Sequence, residues 1–247
     1  MSEAPSSRPR LSGALLEVGL AIAGLLVGSL VFIVLGMLDV VPTEGALGLG
    51  VRMAAGPAIT LLAVAVYRKL ASLVDANDRA QYGEPPPSEA LFARPSLGGS
   101  IGFVVLGIAA AIGGSFVLGL GLEALGVPVE EQGAIVELIE GFKSGGEHLP
   151  IILLAVSALA LAPMAEELLF RGLVFRRIAS RGSSWPEAYA LSAAVFAAIH
   201  TNPVGFLVYL WLGVVFAESY RRSGRLWVAM LVHTGNNAFA LSLLIWG

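Results

Sequence analysis

The sequence predicts an all-α fold, a polytopic integral membrane helix bundle with about seven transmembrane helices, and two properties of the chain lead to this prediction. Only 13% of its 247 residues are charged, whereas 56% are hydrophobic, which leaves too little polar surface to cover a water-soluble globule of this size. The chain also contains largely uncharged runs that are long enough to cross a bilayer core about 30 Å thick. These runs are Val18–Leu38, Ala46–Tyr67, Pro95–Leu122, Leu149–Phe175, Ala188–Ala217 and Leu226–Trp246. Arg52 lies in the second run, and Glu166, Glu167 and Arg171 lie in the fourth.

The fifth run, Ala188–Ala217, is too long for a single helix. The turn signal His200-Thr201-Asn202-Pro203 divides it into two spans, which brings the total to seven. Glu17 and Glu218, near the ends of spans, are expected to be solvated.

The distribution of Lys and Arg predicts the orientation, because cytoplasmic loops carry the excess of positive charge. Seven alternating spans leave only Lys143 on one side of the membrane, so the N-terminus is predicted to be cytoplasmic and the C-terminus to lie outside. The residues on the cytoplasmic side are Arg8, Arg10, Arg68, Lys69, Arg79, Arg94, Arg176, Arg177, Arg181, Arg221, Arg222 and Arg225.

Three regions are expected within a single membrane domain. Residues 1–125 form an N-terminal three-span region, residues 126–148 an acidic outer loop, and residues 149–247 the four-span region that is expected to be catalytic. The apolar residues Ile135, Val136, Leu138 and Ile139 in the acidic loop fit either a short helix on the membrane surface or a solvated loop.

Composition excludes several kinds of function. The formal net charge is −3 and no basic stripe is present, which argues against a nucleic-acid partner. The chain has no Cys, so disulfides, thiolate metal sites and cysteine nucleophiles are excluded. No Asp falls inside a predicted span, which also excludes an aspartyl protease mechanism.

Ionisable residues inside a bilayer are costly and therefore mark functional sites. The fourth predicted span carries Glu166-Glu167-x-x-x-Arg171, the fifth ends in Phe196-x-x-x-His200, and the seventh carries His233-x-x-x-Asn237. Taken one at a time, a buried Glu–Arg pair or a lone His in a membrane span is often structural. The occurrence of Glu, His, His and Asn on three spans favours a common site.

Helical spacing predicts which of these side chains face each other. Glu167 and Arg171 are four residues apart and can pair on one face of the helix, whereas Glu166 lies about 100° away and faces elsewhere. His233 and Asn237 also share a face, and Phe196 lies one turn before His200 as a packing surface. The predicted cluster is therefore Glu166, His200, His233 and Asn237.

By helical rise His200 lies deeper in the membrane than Glu166 and His233. It can reach their level if its helix begins outside the hydrocarbon, with Ser184 as N-cap and Pro186 in the first turn, or if the helix tilts strongly. If neither holds, His200 is not part of the site.

This cluster permits two kinds of hydrolytic chemistry. A carboxylate and two imidazoles in an apolar cavity can hold a water molecule and remove its proton, while Asn237 or a His N–H donates to the developing oxyanion. Alternatively, Glu166, His200 and His233 could bind Zn²⁺ and leave one position open for water. The residues alone do not distinguish these two mechanisms.

The three motifs, in this order between Pro150 and Gly247, resemble the CPBP family of CAAX prenyl endopeptidases and bacteriocin-processing or self-immunity proteins. The resemblance implies an intramembrane endopeptidase, glutamate-type or metal-dependent. It also implies that Glu166 activates water, that His200 and His233 position the water or bind metal, and that Asn237 supports the oxyanion. Glu167 and Arg171 would then hold the shape of the site.

The implied partners are the lipid bilayer and a peptide or protein substrate, lipidated in the eukaryotic members of the family. A prokaryotic plasma membrane is the expected location. A different class of function remains open, namely a non-catalytic binding, immunity or scaffold protein that uses the same polar cavity. A transporter that uses Glu166 and the two histidines as a proton relay is less favoured, because the spans contain no paired broken helices.

Overall fold

The computed structural model describes residues 10–42, 44–82, 92–127, 133–146 and 148–246, and within these ranges the chain is helical without strands. The predicted all-α membrane bundle is therefore confirmed. The N-terminal residues 1–9, including Arg8, and part of the acidic loop at residues 128–132 lie outside the described residues. The helices are α1 (Arg10–Met37), α2 (Gly45–Tyr82), α3 (Leu97–Ala124), α4 (Gly133–Lys143), α5 (His148–Ser180), α6 (Trp185–Ile199), α7 (Phe206–Ser223) and α8 (Leu226–Trp246).

Each of the seven predicted spans coincides with a helix. By length and composition, five helices in the described part of the chain can cross a membrane: α1, α2, α3, α5 and α8. Helix α6 is apolar but shorter, at 15 residues, and α7 carries Glu218, Arg221 and Arg222 in its last turns. The remaining helix, α4, lies in the acidic loop, for which the sequence left a short helix and a solvated loop as alternatives. It is a short helix whose buried residues Leu138 and Ile139 pack on α2 and α5.

The boundaries of α6 and α7 follow from local sequence signals. The Ser184 side chain accepts a hydrogen bond from the backbone N–H of Glu187, and the Glu187 side chain accepts one from the backbone N–H of Ser184. This reciprocal capping fixes the start of α6 where the sequence predicts it, with Pro186 in the first turn. The helix ends at Ile199, and the predicted turn at residues 200–205 separates it from α7.

Helix α5 contains two π-helical segments, Ser157–Leu161 and Leu168–Phe175. Pro163 lies between them and has no N–H, so a carbonyl one turn earlier loses its donor within the helix. The carbonyl oxygens of Ala158 and Leu159 instead accept hydrogen bonds from Asn237 Nδ2 at 2.9 Å and Thr234 Oγ1 at 3.0 Å. Pro163 therefore exposes the backbone of α5 to the polar side chains of α8.

The first two helices pack closely because small residues face each other. A Cβ atom added at Gly24 would lie 2.7 Å from the carbonyl oxygen of Ala63, and one added at Gly28 would lie 2.7 Å from the Ile59 side chain. The Gly24-x-x-x-Gly28 spacing on α1 thus brings its backbone against α2, in the manner of small-residue contacts between membrane helices.

Glu17 on α1 is buried, which corrects the expectation that it is solvated. Its side chain is 0% exposed and accepts hydrogen bonds from Arg177 Nε at 2.9 Å and Arg181 Nε at 2.5 Å. The hydroxyl of Tyr67 on α2 also donates to Glu17. The sequence position near the end of a span suggested water as the partner, but the partners are two arginines at the end of α5.

The same two arginines also pair with the extension of α2. Arg177 forms a bidentate contact with Asp75, with nitrogen–oxygen distances of 2.8 and 2.6 Å, and Arg181 pairs with Asp78. Bidentate Arg–carboxylate pairs are among the stronger and more directional polar contacts. This network therefore fixes α1 and α2 to the end of α5.

Replacing Glu17 with Gln tests the contribution of this network. Glu17→Gln removes the fully buried carboxylate that Arg177 and Arg181 share and leaves them the more exposed Asp75 and Asp78. We therefore expect it to lower the free energy of unfolding by about 3 kcal/mol. The measurement is thermal and denaturant unfolding of the purified protein in detergent. Glu123→Gln, at an exposed position near the end of α3, is the matched control, and an equal effect of the two substitutions would contradict the prediction.

Candidate active site

The two adjacent glutamates of α5 occupy different environments, as their angular separation predicts. Glu167 is fully buried, and its Oε1 atom lies 3.0 Å from Arg171 Nη1 and 3.0 Å from His233 Nδ1. Glu166 instead lines a cavity. One carboxylate is thus used in an ion pair within the bundle, and the other remains available to an occupant of the cavity.

Arg171 is the largest fully buried side chain of the described residues. Besides Glu167, it donates from Nη2 to the carbonyl oxygen of Gly213 on α7 at 2.8 Å. Its guanidinium carbon lies 4.5 Å from the centre of the Phe196 ring and 5.3 Å from that of Phe216, distances at which an aromatic face stabilises a cation. Arg171 therefore joins α5, α6 and α7 around one charge.

His233 is held by two contacts. Its Nδ1 atom faces Glu167, and its ring stacks on Phe216 with the centroids 4.5 Å apart and the planes 18° apart. Because the Glu167 carboxylate accepts hydrogen bonds, the Nδ1 atom carries the proton in this arrangement. The Nε2 atom is left for the cavity, which His233 also lines.

His200, at the end of α6, is held in a similar way. Its Nδ1 atom lies 2.8 Å from the carbonyl oxygen of Phe196, which can only accept, so the proton of the neutral ring resides on Nδ1. The ring stacks on Tyr209 of α7 at a centroid distance of 4.1 Å and contacts the Phe196 ring at 4.7 Å. The sequence prediction that Phe196 packs beneath His200 is confirmed, and Tyr209 is an additional partner that no motif indicated.

Asn237 is one turn after His233 on α8. One hydrogen of its Nδ2 atom is used by the carbonyl oxygen of Ala158, and an amide nitrogen has a second hydrogen to donate. None of the three motifs includes Pro163, which frees that carbonyl. A proline three residues before a buried acidic pair was the signal that could have indicated it.

The cavity has a volume of about 1260 Å³ and is surrounded by α1, α2, α3, α5, α6, α7 and α8, with one residue of α4. Its lining includes all four members of the predicted cluster, Glu166, His200, His233 and Asn237, together with Phe196. The Oε2 atom of Glu166 is buried without a hydrogen-bond partner. A buried carboxylate oxygen without a partner is costly, so this atom is suited to bind water or a polar group of a ligand.

The predicted metal ligands do not form a metal site as arranged. Among the described residues, no group of three His, Asp or Glu side chains is placed to hold a metal ion. The Nδ1 atoms of His200 and His233 face the Phe196 carbonyl oxygen and Glu167, so only their Nε2 atoms could bind a metal ion.

Fold and site together define an integral membrane protein with Glu, His and Asn side chains gathered in an apolar bundle. Residues 148–239 match the family described as type II CAAX prenyl endopeptidase, Rce1-like, and these residues include every member of the cluster. The family resemblance predicted from the three motifs is thus confirmed over this segment.

A curated protein is also similar to this chain. The protein named "Putative membrane peptidase YdiL" of Bacillus subtilis (strain 168) is 27% identical over 143 residues, which are 57% of this chain and 52% of that protein. The similarity therefore spans about half the length of this relative. No solved structure matches the chain.

The contact between α6 and α7 gives a stability test of the site. A Cβ atom added at Gly213 would lie 2.8 Å from the Cβ and 2.9 Å from the Cα of Ala193, so Gly213→Ala must move α7 away from α6. We expect a loss of about 1–3 kcal/mol from overpacking, measured by thermal unfolding in detergent.

Gly102→Ala is the matched control for this substitution. A Cβ atom at Gly102 on α3 would meet no heavy atom within 4 Å, and Ala is the better helix former. The unfolding temperature of Gly102→Ala should be unchanged or slightly raised. Equal unfolding temperatures for the two variants would show that α6 and α7 do not require this close contact.

Proposed function

We propose that this chain is an intramembrane endopeptidase of the CAAX-protease-like type that hydrolyses a peptide bond with a water molecule activated by Glu166. The observation that carries the proposal is the cavity that Glu166, His200, His233 and Asn237 line together. Helices α5, α6 and α8 place these side chains around one apolar cavity. The match of residues 148–239 to a prenyl endopeptidase family supports the same reaction class.

Water activation is assigned to Glu166 and His200. The unpartnered Oε2 atom of Glu166 accepts a hydrogen bond from water and then takes its proton. With Nδ1 of His200 donating to Phe196, the Nε2 atom of the neutral ring is an acceptor that orients the same water molecule. Both groups line the same cavity, and the proposed mechanism assigns them to one water molecule.

Oxyanion stabilisation is assigned to His233 and Asn237. Nδ1 of His233 faces the Glu167 carboxylate, which fixes the ring beside the developing negative charge. The second Nδ2 hydrogen of Asn237 is a donor to this charge. Arg171 and Glu167 position these groups and do not touch the substrate.

The proposed reaction balances with the residues described. The water oxygen forms a bond to the carbonyl carbon while Glu166 takes a proton, which gives a tetrahedral intermediate with its oxyanion near His233 and Asn237. Collapse of this intermediate breaks the carbon–nitrogen bond, and Glu166 returns the proton to the leaving amine. The products are a carboxylic acid and an amine, and Glu166 is again ionised.

The proposed substrate is a peptide or protein reached from the bilayer, and the proposed location is a prokaryotic plasma membrane. The Bacillus subtilis relative named as a membrane peptidase supports a bacterial setting. The composition of the chain supports the integral membrane location. A comparison of terminal peptides from cells with the native chain and with Glu166→Gln tests whether the substrate is lipidated.

Replacing Glu166 with Gln is expected to abolish cleavage while the protein remains folded, because Gln keeps the shape and loses the base. The measurement compares the N-terminal and C-terminal peptides of membrane proteins from cells with the native chain and with Glu166→Gln at matched levels. Termini that vanish with the variant would name the substrates and show whether cleavage follows a lipidated Cys.

The control for this comparison is Glu140→Gln, a change at an exposed carboxylate of α4, which should leave the termini unchanged. Cleavage retained by Glu166→Gln would refute the proposed role of this residue. Identical termini together with an intact cellular phenotype would favour a non-catalytic binding, immunity or scaffold protein.

A chelator experiment distinguishes the glutamate-type mechanism from the metal-dependent alternative. Because the described residues form no three-ligand cluster, we expect the purified protein to retain its cleavage rate within about twofold after treatment with 1,10-phenanthroline and transfer to metal-free buffer. The rate is measured on a substrate found by the terminal-peptide comparison. A loss that added Zn²⁺ restores would establish the metal-dependent mechanism instead.

A further inference from the structure

The turn between α7 and α8 carries more positive charge than its carboxylates offset. Arg221, Arg222 and Arg225 lie within five consecutive positions, and Glu218 pairs with both Arg221 and Arg222. Among the described residues, no carboxylate pairs with the side chain of Arg225, and its Nε atom is buried without a hydrogen-bond partner. Glu187, at the same end of the bundle, caps the start of α6. Three cations of this turn therefore share one carboxylate.

Two arginines from other parts of the chain lie at the same turn. The ring of Phe92 packs on that of Tyr220 with the centroids 4.9 Å apart, which brings the following residues to the turn. A Cβ atom added at Gly224 would lie 3.3 Å from Arg94 Cγ, and Arg176, near the end of α5, hydrogen-bonds to the Tyr220 hydroxyl. The surface that we call the arginine patch consists of Arg94, Arg176, Arg221, Arg222 and Arg225.

The other two arginines at the end of α5 show the opposite balance. Arg177 and Arg181 pair with Glu17, Asp75 and Asp78, so three carboxylates surround two cations. The bundle therefore supplies its own carboxylates to that group of arginines, while the turn between α7 and α8 has one carboxylate for three cations.

Arg225 lies where a cation is unfavourable in a helix. It directly precedes α8, and the amide groups of a first helical turn carry partial positive charge that favours anions. Asp, Asn, Ser and Thr are the usual residues at such a position. The placement of Arg225 therefore adds to the positive potential of the arginine patch and makes an anion from outside the chain favourable there.

The arginine patch lies at the depth of the membrane surface. By length and composition α5 and α8 can cross a membrane, and Arg176 lies in the last turns of α5 while Arg225 directly precedes α8. Trp227 is the second residue of α8, and the ring of Trp185, the first residue of α6, lies 5.4 Å from the guanidinium carbon of Arg221. Because tryptophan is enriched at the membrane–water interface, the phosphate layer of the bilayer is expected beside these arginines.

Charge and depth together indicate the chemistry of the partner. A guanidinium can bind a phosphate through two parallel N–H···O hydrogen bonds. A phosphatidylcholine headgroup brings a cation with its phosphate, whereas an anionic headgroup brings the net negative charge that the turn lacks. Basic pockets between membrane helices bind anionic headgroups for this reason.

We propose that the arginine patch binds the phosphate of an anionic phospholipid headgroup. A lipid is the occupant, and not a soluble anion, because the arginines lie where spanning helices meet the membrane surface. None of the five arginines lines the cavity around Glu166, so this inference goes beyond the proposed reaction and does not depend on it.

Native mass spectrometry of the full chain tests the proposal. The purified protein in dodecyl maltoside receives equimolar phosphatidylglycerol and phosphatidylcholine with the same acyl chains, and the ratio of the two species with one bound lipid measures the preference. We expect phosphatidylglycerol to be preferred at least about fivefold, the effect of roughly one arginine at an anionic surface. Equal binding of the two lipids by the native protein would overturn the proposal.

A double substitution in the patch has a matched control on the same predicted side of the membrane. Arg222→Gln with Arg225→Gln removes two charges from the patch, whereas Arg68→Gln with Lys69→Gln removes two charges from exposed positions of α2. We expect the first pair to remove most of the preference and the second pair to leave it unchanged. An equal reduction by both pairs would show that only total positive charge attracts the lipid, and the patch would then not be a site.

A single substitution keeps the test decisive if the patch double variant does not fold. Arg94 is exposed and lies outside the helices, so Arg94→Gln changes neither α7 nor α8. We expect it to lower the preference for phosphatidylglycerol, and a preference equal to that of the native protein would refute the contribution of Arg94 to the patch and with it the site as proposed.

Inorganic phosphate distinguishes a lipid headgroup from a soluble anion. It is added in large excess over the lipid, with chloride at the same ionic strength as the reference. We expect the preference for phosphatidylglycerol to be the same in both salts. Loss of the preference in phosphate alone would assign the patch to a soluble phosphate compound and overturn the assignment to lipid.

Discussion

The buried guanidinium of Arg171 is the constraint on which the rest of the site depends. Burying an arginine costs the free energy of its hydration, and contacts with neighbouring groups must offset this cost. In this bundle the contacts are with the Glu167 carboxylate, the Gly213 carbonyl and the faces of Phe196 and Phe216. These partners lie on three helices, so satisfying one charge sets the distances among α5, α6 and α7. His233 contacts Glu167 and so joins α8 to the same group.

Two neighbouring carboxylates have separate tasks because one residue step turns an α-helix by about 100°. Glu167 faces the arginine and stabilises the bundle, while Glu166 lines the cavity. Pro163, three residues before them, removes a backbone donor and leaves carbonyls for Asn237 and Thr234. The ion pair and the proline thus place α5 and α8 against each other on both sides of Glu166.

The first three helices carry no catalytic motif, yet they contribute much of the cavity wall. They lie outside the segment that matches the prenyl endopeptidase family. Glu17 fixes α1 to the end of α5 through Arg177 and Arg181. The residues proposed to react therefore belong to the segment 148–239, whereas the shape and charge of the cavity also depend on α1, α2 and α3.

The sequence by itself determined the helical class and the approximate positions of the seven predicted spans, and it indicated Ser184 as a possible start of α6. These features follow from composition, capping and helical spacing, which act over a few neighbouring residues. Tertiary structure decided that Glu17 is buried among arginines, that Tyr209 stacks on His200, and that Arg94 lies beside the turn between α7 and α8. Each of these depends on which distant helix lies alongside, and packing over the whole bundle determines that choice because periodicity identifies an apolar face without identifying its neighbour.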